Sequence, residues 1–257
     1  MLLTKLLLGG MVLCAPVLAG AEALFTDRIG LAEDAQMTLP RRWSLEAGLN
    51  AAWAGTRLGS SSAFGVPSLL LRGALSEGVE LRLATEYLMG RQLNRASLDQ
   101  PVLHSGINYV SLGTKLTLLN ERSLIPQTAL MGMMGLKEAG PWQEAGREAL
   151  LSVRLLSDKS FGDKKTLSLN AGLSRAGSGA AWEGDNTLTF GYQATKKMEC
   201  FAEAWNSWYA GYHQLGANVG LFARPFSLIR LELIGGIGYD GDTPQLILSG
   251  GLAIKTQ

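Results

Sequence analysis

Nine charged residues, Glu46, Arg72, Glu80, Arg82, Glu86, Lys115, Arg154, Arg230 and Glu232, alternate with apolar neighbours along the chain. Extended backbone would turn each of them to the same side of its strand. Both signs are present, and two kinds of chemistry follow. Carboxylates and cations could pair and brace a narrow polar space. Alternatively they could line a polar path on which Arg72, Arg82 and Lys115 draw anionic solutes and the glutamates balance them. In both cases the neighbouring apolar residues need an apolar solvent on the opposite face.

Other chemistries find little support. The two histidines are His104, which precedes Ser105 in a loop-like stretch, and His213, which shares the parity of Leu215. A nucleophilic serine needs a base within hydrogen-bond reach, and neither histidine comes with a Gly-x-Ser-x-Gly elbow. No catalytic residue is assigned, and no cofactor or metal is expected. The run Ile234-Gly235-Gly236-Ile237-Gly238 lies inside an alternating pattern with no helix after it, so it is read as strand glycine that relieves curvature or opens space, not as a phosphate loop.

The elements that place the charges are strands. From Trp43 to Trp53 the odd positions are Trp43, Leu45, Ala47, Leu49, Ala51 and Trp53, and the even ones are Arg42, Ser44, Glu46, Gly48, Asn50 and Ala52. Ten steps of a tilted strand cover roughly 24 Å, the height of the apolar band of an outer-membrane barrel with an aromatic at each rim. Twelve such segments are predicted: 42–53, 66–75, 79–88, 107–118, 125–136, 147–156, 165–174, 185–194, 198–208, 212–222, 227–239 and 243–254. The fold expected is all-β, a transmembrane antiparallel β-barrel of about 12 strands. An even number puts both ends of the barrel on the periplasmic side. Ser76-Glu77-Gly78, Thr195-Lys196-Lys197 and Ala223-Arg224-Pro225-Phe226 then read as tight turns, and Ala54–Gly65, Met89–Gly106, Lys137–Gly146 and Arg175–Gly184 as long outward loops. The short links near Gly211 and at Asp240-Gly241-Asp242 predict a mouth lower on one side. The fifth and ninth segments leave their facing open. Trp43, Trp53, Tyr87, Trp208 and Tyr209 are expected at the membrane interfaces.

The first 23 residues read as a signal peptide: a basic start at Lys5, an apolar stretch from Leu6 to Leu18, and small residues from Ala19 to Ala23. Its removal takes Lys5 and Glu22 and leaves 22 basic and 21 acidic residues, a balance without a nucleic-acid footprint. Cys200 is then the remaining cysteine, so no internal disulfide is expected. Residues 24–41 carry Asp27, Glu33 and Asp34 without any period and read as a periplasmic lead with the option of folding into the barrel, which occupies 42–257.

The stretch Pro67-Ser68-Leu69-Leu70-Leu71-Arg72-Gly73-Ala74-Leu75-Ser76-Glu77-Gly78-Val79-Glu80-Leu81-Arg82 resembles the hairpin of the bacterial family named for the meta-pathway of phenol degradation. Val110 to Lys115, Pro126 and Phe201-Ala202-Glu203-Ala204-Trp205 are similar to later elements of that family, in the same order. The resemblance implies an outer-membrane barrel of a Gram-negative-type bacterium, often described as a transporter. It also implies that Glu203 faces inward, which would turn Phe201 and Trp205 to the lumen, where they could stack on an aromatic or apolar solute. A girdle of Trp205, Trp208, Tyr209 and Tyr212 is the competing account. The partners expected are outer-membrane lipid, the barrel-assembly machinery and a small-molecule solute. Three functions stay open: a passive, porin-like channel for small molecules, aromatic or hydrophobic ones among them; a structural or binding barrel with a closed lumen; and a lipid-acting enzyme.

Overall fold

The computed structural model describes residues 33–55, 59–94, 102–135, 150–176, 181–209, 212–241 and 243–256. The signal peptide expected at 1–23 lies outside the described residues.

Twelve strands follow one another around a closed antiparallel barrel. They are β1 Trp43–Gly55, β2 Gly59–Ser76, β3 Val79–Asn94, β4 Val102–Leu119, β5 Gln127–Gly135 and β6 Leu150–Phe161 in the first half. The second half holds β7 Lys165–Ala176, β8 Glu183–Thr195, β9 Met198–Tyr209, β10 Tyr212–Phe226, β11 Ile229–Asp240 and β12 Thr243–Lys255. Closure lies between β1 and β12, where Ser44 through Ala54 pair with Lys255 through Gln245. A bilayer core offers no water to unpaired amides, so this last ladder is what lets strands span it.

The two faces of the wall differ in the way period two requires. Outward-facing Leu45, Leu49, Leu83, Leu112, Val153, Leu169 and Leu233 are 41–64% exposed, whereas the alternate positions Glu46, Arg72, Glu80, Arg82, Lys115 and Arg230 are at most 4% exposed. Leucine outside and arginine inside is the inverse of a water-soluble domain, and it makes this a transmembrane barrel. The structure also fixes the two open facings. In β5 Ala129 and Met131 are buried inward while Met134 is exposed; in β9 Phe201, Glu203 and Trp205 point inward and Trp208 outward.

Three expectations need correction. Much of the stretches read as the loops Ala54–Gly65 and Met89–Gly106 is strand, because β2, β3 and β4 run on for 18, 16 and 18 residues. Serine and glycine in these stretches are compatible with pairing above the membrane band, where no apolar face is needed. The tall wall thus stands at β2 to β4. β6 is displaced from the predicted 147–156, its end moved out to Phe161 where Lys159 and Ser160 still pair with β7. Ala223 to Phe226 is not a turn but the end of β10, with an irregular register between Ala223 and Phe226.

The described part of the lead, residues 33–41, does not trail from the barrel. Residues 33–39 form a strap inside it, and the chain reaches the wall through a parallel bridge between Pro40 and Ala74 and a 3.1 Å bond from the Arg41 amide to the Ala74 carbonyl. Ala35 of the strap is fully buried against Ala129, Met131 and Leu156, so an apolar contact between β5, β6 and the strap lies within the lumen.

Candidate functional site

The charged residues that parity gathers inside the barrel form a chain of alternating sign. Glu46 on β1 meets Arg72 Nε on β2 at 2.8 Å, and Arg72 approaches Glu80 on β3 at 4.0 Å. Glu80 meets Arg82 at 3.4 Å, and Arg82 meets Glu33 of the strap at 3.5 Å. Glu33 in turn meets Arg154 on β6 at 3.4 Å, and Arg154 closes on Asp185 of β8 at 2.7 Å. Burying any one of these charges alone would cost several kcal/mol, roughly 3–5 when a partner is removed, so the alternation is what makes a charged lumen tenable.

Wall side chains also satisfy the backbone of the strap. Lys115 Nζ donates to the carbonyls of Asp34 at 2.7 Å and Gln36 at 3.3 Å, and Asn170 donates to the carbonyl of Glu33 at 3.1 Å. The Ala35 amide donates to Asp158 at 2.6 Å and the Thr38 amide to Glu80 at 2.8 Å. Irregular backbone at membrane depth survives only with such partners. The strap is therefore held to the wall of β3 through β7.

Space remains on the other side. A lower chamber of about 80 Å³ is bordered by the strap residues Glu33, Asp34 and Gln36 and by Phe201, Glu203, Phe222 and Arg230 of the wall. Phe201 and Phe222 stack with ring centroids 5.0 Å apart, and the Arg230 guanidinium lies 3.7 Å above the Phe222 ring. An upper chamber of about 490 Å³ is lined by Asn50, Arg154, Asp185, Trp205, Asn218 and Ile234 among others. Between the two stands a cross-strand pair: Asn218 donates to Glu203 Oε1 at 2.6 Å, and Thr189 donates to Glu203 Oε2 at 3.3 Å. Glycine makes room here. A Cβ at Gly216 or Gly238 would collide with the Trp205 ring, and one at Gly236 with Asn218.

All ten residues expected in the lumen face inward, but the structure divides them. Arg72, Glu80, Arg82, Lys115 and Arg154 belong to the ionic chain and the strap; Glu203, Trp205 and Arg230 border the chambers. Glu86 accepts from Asn50 at 3.3 Å, and Glu232 lies 3.6 Å from Arg230 Nε. Of the interfacial aromatics, Trp43, Tyr87 and Trp208 are exposed on the outer face, and Trp53 meets Phe64 edge to face at 5.6 Å. The Tyr209 and His104 side chains lie outside the described residues, and His213 is exposed beside Leu215. Sequence reasoning missed Asp185, Asn218 and Phe222, which parity alone would have placed inside, and the lumen position of Glu33, which no periodicity could show. Among the described residues, no three His, Cys, Asp or Glu side chains are grouped to hold a metal ion.

No family model matches the chain, and no curated protein matches its sequence. Solved structures do. An outer-membrane channel from Pseudomonas putida F1 superposes with a TM-score of 0.63 at 13% identity, over 86% of this chain and 97% of that one. The likeness is one of fold. The β domain of the Bordetella autotransporter BrkA gives 0.58 at 11% identity over 84% of this chain and 100% of that one. The Ralstonia pickettii toluene transporter TbuX gives 0.51 at 7% identity over 87% and 91%. Proteins of such different tasks share the barrel, so the task of this one has to be argued from its lumen.

Proposed function

We propose that this protein is a passive channel of the bacterial outer membrane for small molecules, aromatic or hydrophobic ones among them. One observation carries the reading: the strap binds one wall of the lumen and leaves two chambers along the other, separated by the Glu203–Asn218 hydrogen bond. A purely structural barrel would gain from filling that space with side chains. The outer-membrane channel of P. putida F1 and the toluene transporter supply the same barrel in a transport setting, and the hairpin 67–82 supports membership of the phenol meta-pathway family. In this reading residues 1–23 direct export and are removed, and 24–41 form the periplasmic lead to which the strap 33–39 belongs. Lipid contacts the apolar belt, and the barrel-assembly machinery inserts the chain.

Route and chemistry agree. A solute moving past Trp205, Glu203 and the Phe201–Phe222 stack meets aromatic surface above and below one carboxylate–amide pair. Aromatic and apolar rings gain from stacking there, and the members of the ionic chain that border the chambers, Glu33, Arg154 and Asp185, are paired with one another. The test is uptake of small solutes into liposomes holding the purified full chain. Entry above protein-free vesicles supports the channel; no entry under conditions where a general porin admits the same solutes leaves the closed structural barrel in its place.

A further inference from the structure

The upper chamber carries more than space. We propose that it is a binding site for a neutral, hydroxylated ring, a deepening of the channel reading that rests on it for access. Its charges are matched or peripheral: Arg154 and Asp185 pair at 2.7 Å, and Glu183 stands exposed at the rim. An anion entering would lose hydration and meet the rim carboxylate, and the cation among the described lining residues, Arg154, is already paired with Asp185.

What the chamber does offer is uncharged hydrogen-bonding capacity held in fixed orientation. Asn50 accepts from Ser249 at 2.9 Å while donating to Ser68 at 3.4 Å and Glu86 at 3.3 Å, and Ser207 donates to Gln214 at 3.4 Å. Three further side chains on its border are more than nine-tenths buried and hold a polar atom without a partner. They are Thr187 Oγ1 and Asn218 Oδ1, each on a residue 4% exposed, and Trp205 Nε1, on a residue 8% exposed. One is an acceptor, one a donor, and the hydroxyl is both. Buried polar atoms of this kind are costly unless something completes them, and a hydroxyl group, which both donates and accepts, answers all three.

Trp205, Ile234 and Ile247 supply an apolar side to the same chamber. A ligand with a flat apolar face and hydroxyls on its edge fits both halves, and about 490 Å³ is room for a small ring compound. Two sources share that chemistry, a pyranose sugar and a hydroxylated aromatic ring.

The experiment uses proteoliposomes of the full chain and saturation-transfer NMR with three probes: methyl glucoside, resorcinol and benzoate. Protein-free vesicles give the background. At least one neutral probe should bind saturably, about tenfold more tightly than benzoate, and about tenfold more weakly to Thr187→Val, the loss expected of one hydrogen bond. Asn218→Leu should act likewise; the isosteric Thr187→Val keeps the test alive should Asn218→Leu fail to fold. Which neutral probe binds identifies the source. Uptake of the same probes is measured in the same vesicles. Uptake without saturable binding, or benzoate binding as tightly as both neutral probes, overturns the site and leaves the channel. Binding without uptake keeps the site and overturns the channel reading, and neither binding nor uptake removes both.

Discussion

Glu33 and Arg154 meet at 3.4 Å, although 121 residues separate them in sequence. The pair joins the strap to β6, and the other oxygen of the same carboxylate takes Arg82 of β3 at 3.5 Å. One residue of an aperiodic segment thus ties two strands across the lumen, so removing its charge should loosen the strap and leave the barrel closed. Glu33→Gln should weaken docking by about 1.5–3 kcal/mol, the worth of hydrogen bonds to a charged group, because Arg82 keeps Glu80 and Arg154 keeps Asp185. Hydrogen exchange reads this directly: the amides of Ala35 and Thr38 should exchange at least about tenfold faster while the strand amides stay protected. Unchanged exchange at Ala35 would show that the strap is held without the Glu33 charge, by its backbone hydrogen bonds and apolar contact.

The facing of β3 can be tested at adjacent positions. Leu83 is 41% exposed on the outer face and Arg82 is 4% exposed inside. Leu83→Arg should destabilise the barrel by roughly 2–4 kcal/mol if the residue lies near midplane. Arg82→Leu should fold and act on strap and lumen instead. Denaturant titration of refolding into vesicles measures both, and a larger loss for Arg82→Leu would mean that the charge chain, not the lipid face, limits assembly.

These two positions also show what was legible in the sequence. Leu83 and Arg82 declare their sides because lipid and lumen demand opposite chemistry at alternate positions, and so the barrel, its strand count and the inward set follow from period two. Glu33 declares nothing: a strap satisfied by side chains from β3 to β7 needs no periodicity of its own. For the same reason Arg72, Arg82 and Lys115, which read as cations able to draw anions, meet Glu46, Glu80, Glu33 and strap carbonyls in the structure. Pairing across the lumen is set by three-dimensional closure, and spacing along one strand does not encode it.

At the barrel end where β1 begins and β12 ends, Glu121 in the β4–β5 link is held below the ordinary glutamate range, chiefly by a 2.6 Å hydrogen bond from Lys159, with Ser160 adding more. The sign follows from that lowering. Stabilisation from the contact is present above the pKa of an unfolded-chain glutamate and is lost as pH falls through the lower folded value. The Ser160 amide, 2.9 Å from Glu121 Oε1, should therefore lose protection against hydrogen exchange as pH falls through and below the ordinary glutamate range, in excess of the change in the intrinsic rate, which itself slows toward acid. Glu121→Gln should remove that excess. An equal response in both proteins would place the acid sensitivity elsewhere.

The space under Trp205 is set by Gly216 and Gly238, where any Cβ meets the indole. Gly238→Val should push the ring into the upper chamber at an overpacking cost of roughly 1–3 kcal/mol. Solute uptake should fall at least several-fold while the protein still refolds. Uptake unchanged in a folded variant would show that solutes do not pass Trp205.

The central claim is that solutes cross beside the strap, past Asn218. In a Cys200→Ser background, Asn218→Cys should react with a bulky water-soluble thiol reagent, and Thr117→Cys, whose position lies against Met37 of the strap, serves as the comparison. Uptake of a small neutral solute into proteoliposomes is then measured before and after labelling. The account predicts that labelling at position 218 abolishes uptake and labelling at position 117 leaves most of it. Undiminished uptake with position 218 fully labelled would contradict it.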